Sequence, residues 1–451
     1  MKILLISANR YKKPYPVYPI GLSYISTYLK KYIPGVDVKI LDLNLCDNNT
    51  LALEILAYQA DYIGLSLRNI DGSNSLDMSN FISSYKSIID IVRQKSDKPV
   101  IVGGAGFSIY PESLMKTLSP DYGIIGEGEE AFRLLVTALE NKEDTSKIEG
   151  LVSWDGDSIK CNKHKNYLKS LEVSFETDSL DYYWKESGML NIQTKRGCCY
   201  DCIYCSYPII DGRQIRTLDA DKIVDDMLRL NKEKGINYLF FTDSVFNIKN
   251  DYNVELAEKI IRSGLKVKWG AYFSPSNFTA EELKIYKRSG LTHIEFGTES
   301  FCDEQLQNYG KNFTVEDVLR SSKLCLDTNV YYSHFLILGG YGETKKTLLE
   351  TIENSKKIDY SVFFPFIGMR IYPKTRLYDI ALREGKIQAS DSLLDPTYYL
   401  SEDFDLEATK KLARATNKAW VFPDEPEDEM MKVLRIKKNK KGLIWEYLRK
   451  P

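Results

Sequence analysis

The chain has 451 residues, with 43% hydrophobic and 27% charged side chains, a make-up that supports large buried cores and excludes a disordered chain. Its 61 Lys and Arg against 63 Asp and Glu leave a net charge of −2, so no basic footprint points to nucleic acid. No apolar run approaches the ~18 residues of a membrane span, and the opening Met1–Ser7 is too short for a signal peptide, so a cytoplasmic protein is expected.

In chain order, the first segment alternates strand and helix signals. Ile3–Ile6, Val38–Asp42, Tyr62–Leu67, Pro99–Gly104 and Tyr122–Gly126 read as strands. Helical patterns lie at 19–32, 78–94 and 129–139. This rhythm predicts a doubly wound parallel sheet over 1–140, a Rossmann-like α/β domain with its ligand beyond the carboxyl ends of the strands. Residues 141–189 break the pattern and read as a linker with a small hairpin at Asp155-Gly156-Asp157. A second alternating series fills 190–385, with strands at Asn191–Thr194, Tyr238–Thr242, Val267–Ala271, His293–Gly297, Tyr331–Leu338 and Val362–Ile371. Six strand–helix units predict a partial (β/α)6 barrel with its chemistry at the carboxyl ends of its strands. Residues 386–451 read as a small, mostly helical tail. Its acidic stretch Pro423–Asp428 and basic run Lys437–Lys441 read as solvated surface. No repeat of solenoid length and no low-complexity segment is present.

Four of the eight cysteines, Cys198, Cys199, Cys202 and Cys205, fall within eight residues. In a reducing compartment such a cluster reads as metal ligands or redox groups rather than disulfides. The ligand set is either Cys198, Cys202 and Cys205 or Cys199, Cys202 and Cys205. Soft thiolates on a tight loop suit zinc or an iron–sulfur cluster, and zinc wants a fourth ligand that the adjacent sequence does not offer.

The three-and-two spacing, with the aromatic Tyr204 before the last cysteine and Gly197 before the first, resembles the radical S-adenosylmethionine superfamily. Cys199 stands where that family has proline. The resemblance implies a [4Fe–4S] cluster on Cys198, Cys202 and Cys205. Further matches follow in order. Phe241–Asn247, with Asp243 and Ser244, resembles the segment holding the amino acid end of S-adenosylmethionine. Phe296–Ser300 resembles the fourth-strand motif, with Glu299 suited to ribose hydroxyls and Ser300 beside it. Ile337–Thr344, with Gly339, resembles the turn against adenine. Met369–Leu377, with Arg370, resembles the end of the sixth strand, with Lys374 where glycine is usual. His293, at the start of its strand, reads as a packing residue.

A doubly wound domain ahead of such a barrel resembles the cobalamin-binding group of this superfamily. Gly21, Leu65, Ser66, Gly103, Gly104, Gly126 and Glu127 are the residues the resemblance implies for cobalamin. Relatives with a cobalt-ligating histidine carry it in the loop after the first strand. Here that loop, Ser7–Pro16, has none, nor does any residue before His164, so cobalamin is expected base-off without a protein imidazole. The implied activity is reductive cleavage of S-adenosylmethionine to a 5′-deoxyadenosyl radical and methylation of an unactivated carbon in a natural product, lipid or peptide. The implied electron donor is a flavodoxin or ferredoxin. The alternatives are radical rearrangement, cyclisation or cleavage without methyl transfer, or a non-catalytic metal-binding or redox-sensing protein.

Overall fold

The computed structural model describes residues 1–175, 177–425 and 440–451. The first sheet takes five parallel strands, β1 (Lys2–Ser7), β2 (Asp37–Asp42), β3 (Tyr62–Ser66), β4 (Val100–Gly103) and β5 (Tyr122–Ile124). An antiparallel hairpin, β6 (Leu151–Asp155) and β7 (Ser158–Cys161), extends it to the order β2-β1-β3-β4-β5-β6-β7. The 151–161 segment is thus bonded to the edge of this sheet. The strands are runs of Ile, Leu and Val because both faces are buried under helices. Register aligns Ser7 with Ser66 and Ser66 with Gly103, so small residues end three adjacent strands at one edge.

After the helix Thr177–Ser187 the second sheet starts with β8 (Leu190–Ile192). A short antiparallel ladder, β9 (Lys195–Arg196) with β10 (Arg216–Thr217), forms the stem of the cysteine loop. The sheet continues through β11 (Tyr238–Phe241), β12 (Lys268–Phe273), β13 (Leu291–Glu299), β14 (Tyr331–Leu338) and β15 (Val362–Ile367), all parallel and in sequence order. Met369–Arg370 (β16) leaves the sheet to pair with Tyr398–Tyr399 (β17), and Ala419–Trp420 (β18) adds a seventh parallel strand beside β15. The open edge of the barrel is therefore capped by the tail.

The tail contains the expected helix, Leu406–Ala415, and the two short strands besides. Pro426–Asp428 and Lys437–Asn439 lie outside the described residues. Lys440 and Lys441 depart from the solvated reading. Lys441 lies 4.7 Å over the Trp184 ring and donates to Trp184 O, and Lys440 pairs with the buried Glu446. Leu443 and Trp445 then pack inside the barrel against Met189, Tyr238 and Val362, closing its floor. There His293 is 1% exposed and bonded to Tyr238 Oη and Glu446, a buried packing residue.

Asp71, after β3, and Arg370, in β16, form a buried ion pair between the two halves of the chain at 2.9 Å. Asp71→Ala leaves a buried guanidinium without its counter-charge and is expected to cost about 3–5 kcal/mol of stability. Urea denaturation measures this, and the double variant Asp71→Ala, Arg370→Met should lose less than the sum of the single losses.

Candidate functional site

The cysteine loop grows out of the β9–β10 stem. Gly197 sits at φ +91, and a Cβ there would lie 2.1 Å from Gln214 O, so glycine is required for the chain to turn into Cys198. The Cys198 N–H donates to Gly212 O at 3.0 Å. Ile203, between the cysteines, donates to Tyr309 O at 3.1 Å and accepts from Leu377 N at 2.8 Å, which ties the loop to the barrel rim. Cys198 is buried, Cys202 and Cys205 are partly buried, and Cys199 is exposed. Burial pushes the Cys198 and Cys205 thiols up, and neighbouring sulfurs add to this, Cys202 and Cys199 for Cys198 and Cys202 and Cys198 for Cys205. Among the described residues no group of three Cys, His, Asp or Glu side chains is already set in ligating geometry. The donor set nonetheless fits an iron–sulfur cluster by chemistry: three soft thiols on one pinned loop, with no hard ligand among them.

Tyr204 reaches from the loop to Glu299, donating to Oε1 at 2.6 Å, and Lys311 Nζ donates to the same oxygen at 3.1 Å. Glu299 Oε2 has no protein partner among the described residues. A bulge between Gly297 and Glu299 and a φ of +68 turn this carboxylate out of the strand's regular alternation. Lys311 is missed by motif reading. Burial opposes its charge, but Glu299 and the thiols of Cys202 and Cys205 outweigh that and hold it above its ordinary value. A cation therefore stands between the thiol loop and the one carboxylate oxygen left free.

Three of the residues expected at S-adenosylmethionine make hydrogen bonds within the protein. Asp243 is fully buried and accepts from Thr194 N at 2.7 Å, Lys195 N at 3.0 Å, Lys195 Nζ at 2.7 Å and the Thr194 hydroxyl. Ser300 shares a hydrogen bond with Thr351 Oγ1 at 2.8 Å and accepts from Cys302 N. Arg370 gives its donors to Asp71 and to the carbonyls of Ile371, Leu393 and Thr397. Ser244 donates to Gly197 O at 2.9 Å and so supports the cysteine loop. The Gly339 N–H is held by the Glu343 carboxylate. Lys374 takes the left-handed conformation, φ +65, that a glycine would take in its place.

At the carboxyl edge of the first sheet lies a cavity with about 910 Å³ of empty space, counting its open mouth. Gly21, Leu65, Ser66, Gly103, Gly104, Gly126 and Glu127 all line it. Gly104 is at φ +96 with Leu67 O 2.7 Å from where its Cβ would be, so the chain passes close under β3. A Cβ at Gly21 would meet nothing within 4 Å and would project into the open space. The barrel side contributes Gln193, Arg196 and Asp211. Arg196 donates to Glu129 at 2.7 Å and Arg216 to Glu127 at 2.6 Å, all four side chains buried. Burial pushes the Asp211 carboxyl above its ordinary value, against the pull of Arg196. Glu129 Oε2 is buried with no partner. An open, glycine-floored cavity with an unpaired acceptor in its wall fits an amide-rich corrinoid.

The family model for the Radical SAM superfamily matches residues 192–354, and that for the B12 binding domain matches 7–136. The chain belongs to the cobalamin-binding radical S-adenosylmethionine enzymes. It is 24% identical over 409 residues to an uncharacterized methyltransferase of Pyrococcus horikoshii, covering 88% of this chain and 86% of that one. It is 25% identical over 441 residues to tryptophan 2-C-methyltransferase of Streptomyces laurentii, covering 82% and 73%. The structure of the methyltransferase TsrM from Kitasatospora setae, with cobalamin and a [4Fe–4S] cluster bound, superposes with a TM-score of 0.88 at 22% identity over 99% of this chain and 97% of that one, which shows a common fold.

Gly21→Trp places a bulky side chain at the cavity lining, at a position where a Cβ meets nothing within 4 Å. It is expected to prevent retention of cobalamin, read from the visible corrinoid spectrum after desalting, while the melting temperature of the cofactor-free protein is unchanged.

Proposed function

We propose that this chain methylates an unactivated carbon of a small-molecule, lipid or peptide substrate, with a [4Fe–4S] cluster on Cys198, Cys202 and Cys205, S-adenosylmethionine against Glu299, and cobalamin in the glycine-floored cavity. The observation that carries the reading is that the two sites share a wall. Arg196 lines the cavity and is followed directly by Gly197 and Cys198, and Asp211 lines it beside the Gly212 carbonyl that holds Cys198. The relatives named as methyltransferases support methyl transfer as the outcome.

When bound, the cluster supplies an electron for cleavage of S-adenosylmethionine and cobalamin supplies a methyl group. The chain's own residues bind and orient. Glu299 offers Oε2 to the ribose hydroxyls, while Tyr204 and Lys311 fix its other oxygen and keep the carboxylate from rotating. The exposed Cys199 takes no part in ligation. The buried Arg196, Arg216, Glu127 and Glu129 hold the loop at a set distance from the cavity. The electron comes from a small external donor, a flavodoxin or ferredoxin. No helix among the described residues is long and apolar enough to cross a membrane.

Anaerobic incubation of the loaded protein with reductant and S-adenosylmethionine labelled in its methyl group tests the reading. Label in the corrinoid fraction and release of 5′-deoxyadenosine are expected; a complete absence of both overturns it. Cys198→Ala should abolish 5′-deoxyadenosine release and Cys199→Ala should retain it, and the opposite pair of results would move the ligand to Cys199. Glu299→Gln should weaken S-adenosylmethionine binding about 10- to 100-fold, the equivalent of roughly 1.5–3 kcal/mol for a charge-assisted hydrogen bond, with iron content unchanged.

A further inference from the structure

Side chains alternate along β13 as far as its bulge, and Ile294 and Phe296 belong to the core outside the barrel, so His293, Glu295 and Gly297 face its interior. Glu295 is 4% exposed. One of its oxygens accepts from Trp445 Nε1 at 3.0 Å; the other has no protein partner, and among the described residues no Lys or Arg forms an ion pair with it. In register on either side stand Tyr272 and Ser333. The Ser333 hydroxyl is buried and also has no partner. Around and above the carboxylate the inward side chains are aromatic. Phe240 meets Tyr272 edge to face at 4.9 Å, and Phe335 lies 5.2 Å from Phe364 and 6.1 Å from Phe366. Although they point inward, Tyr272 is 37% and Phe366 41% exposed, so the lumen above Glu295 is open space. Below it, Trp445 and Leu443 shut the floor.

A carboxylate withdrawn from water without a counter-charge is costly, and a protein that keeps one there gains only when something else brings the opposite charge. Burial pushes the Glu295 carboxyl up to about 7, with the Trp445 N–H pulling the other way. A cationic ligand would supply the counter-charge that holds this carboxyl in its ionised form. Aromatic faces attract cations, so the walls and the floor of the lumen ask for the same group. Glu295 lies four residues before Glu299 on the same strand, roughly 13 Å away along it, which leaves room for a substrate's end group beneath the S-adenosylmethionine site.

We propose that Glu295 anchors the acceptor substrate, and that this substrate carries a protonated nitrogen at the end buried in the barrel. The cation pairs with the free Glu295 oxygen, and the faces of Phe240, Tyr272 and Phe335 enclose it. The proposal rests on the methyl-transfer reading only in calling the ligand the acceptor; the charge-selective site stands on the geometry alone.

The test is calorimetric titration of the cofactor-loaded protein with two probes of matched shape, 2-phenylethylamine and 2-phenylethanol. The amine is expected to bind roughly tenfold or more tightly than the alcohol. Glu295→Gln should abolish that preference while leaving alcohol binding unchanged. Tyr272→Leu, a second variant that keeps the carboxylate, should weaken the amine more than the alcohol. Equal affinity for the two probes, no binding of either, or a preference that survives Glu295→Gln in folded protein overturns the proposal. Because binding is read without turnover, this failure is distinguishable from an absence of methyl transfer.

Discussion

Arg196 and Arg216 stand opposite one another in the two-residue ladder from which the cysteine loop springs, and both reach into the first domain to meet Glu127 and Glu129. Four charges removed from water are tolerable because they arrive in equal numbers and within hydrogen-bonding distance. For Arg196, burial works against the cation and the two glutamates outweigh it, so its guanidinium stays charged. The loop between the arginines is the thiol loop, and the glutamates belong to the Gly-Glu-Gly-Glu segment that walls the cavity. A shift of one domain against the other would strand a buried charge, and that penalty sets the distance between the two cofactor sites.

A second kind of constraint acts within the barrel. Two buried polar groups have their bonding capacity filled within the protein: Asp243 binds four groups of Thr194 and Lys195, and Arg370 spends its donors on Asp71 and three carbonyls. Groups at the sites are left incomplete. Glu299 keeps one oxygen free on a left-handed, bulged strand end, Glu129 has an unpaired oxygen at the cavity, Glu295 uses only one of its oxygens, and the Ser333 hydroxyl has no partner in the lumen. Buried polar groups are normally satisfied, so the unfilled capacity of the three glutamates is where a ligand would complete the structure.

Much of this was legible in the sequence because it depends on local pattern. Short Ile- and Val-rich runs ending in glycine announce parallel strands and a carboxyl-edge site, and the glycine-bearing ends named in this way line one cavity. The cysteine spacing marks the loop. Hydrogen-bond partners are not local. Asp243 sits in a segment shaped like a cofactor motif, yet its position gives no sign that Thr194, 49 residues earlier, will claim it. Lys311 looks like an ordinary loop lysine until folding places it beside Glu299. Trp445 and Glu295 are 150 residues apart, so neither hinted at the other. The tail read as helix because Leu406–Ala415 dominates its periodicity; two-residue strands such as Ala419–Trp420 carry no periodic signal and exist only because β15 offers an unpaired edge.

The segment that closes the floor of the barrel has a consequence for traffic. With Leu443 and Trp445 wedged among Met189, Tyr238 and Val362, the described residues shut the lumen at this end and leave the approach from the rim where the thiol loop and the first domain meet. Whatever settles deepest must enter before the molecules that lie above it and leave after them. The architecture thus imposes a queue: the order of arrival and departure follows from depth in the barrel, and the chain's last residues, far from the thiols in sequence, determine that order.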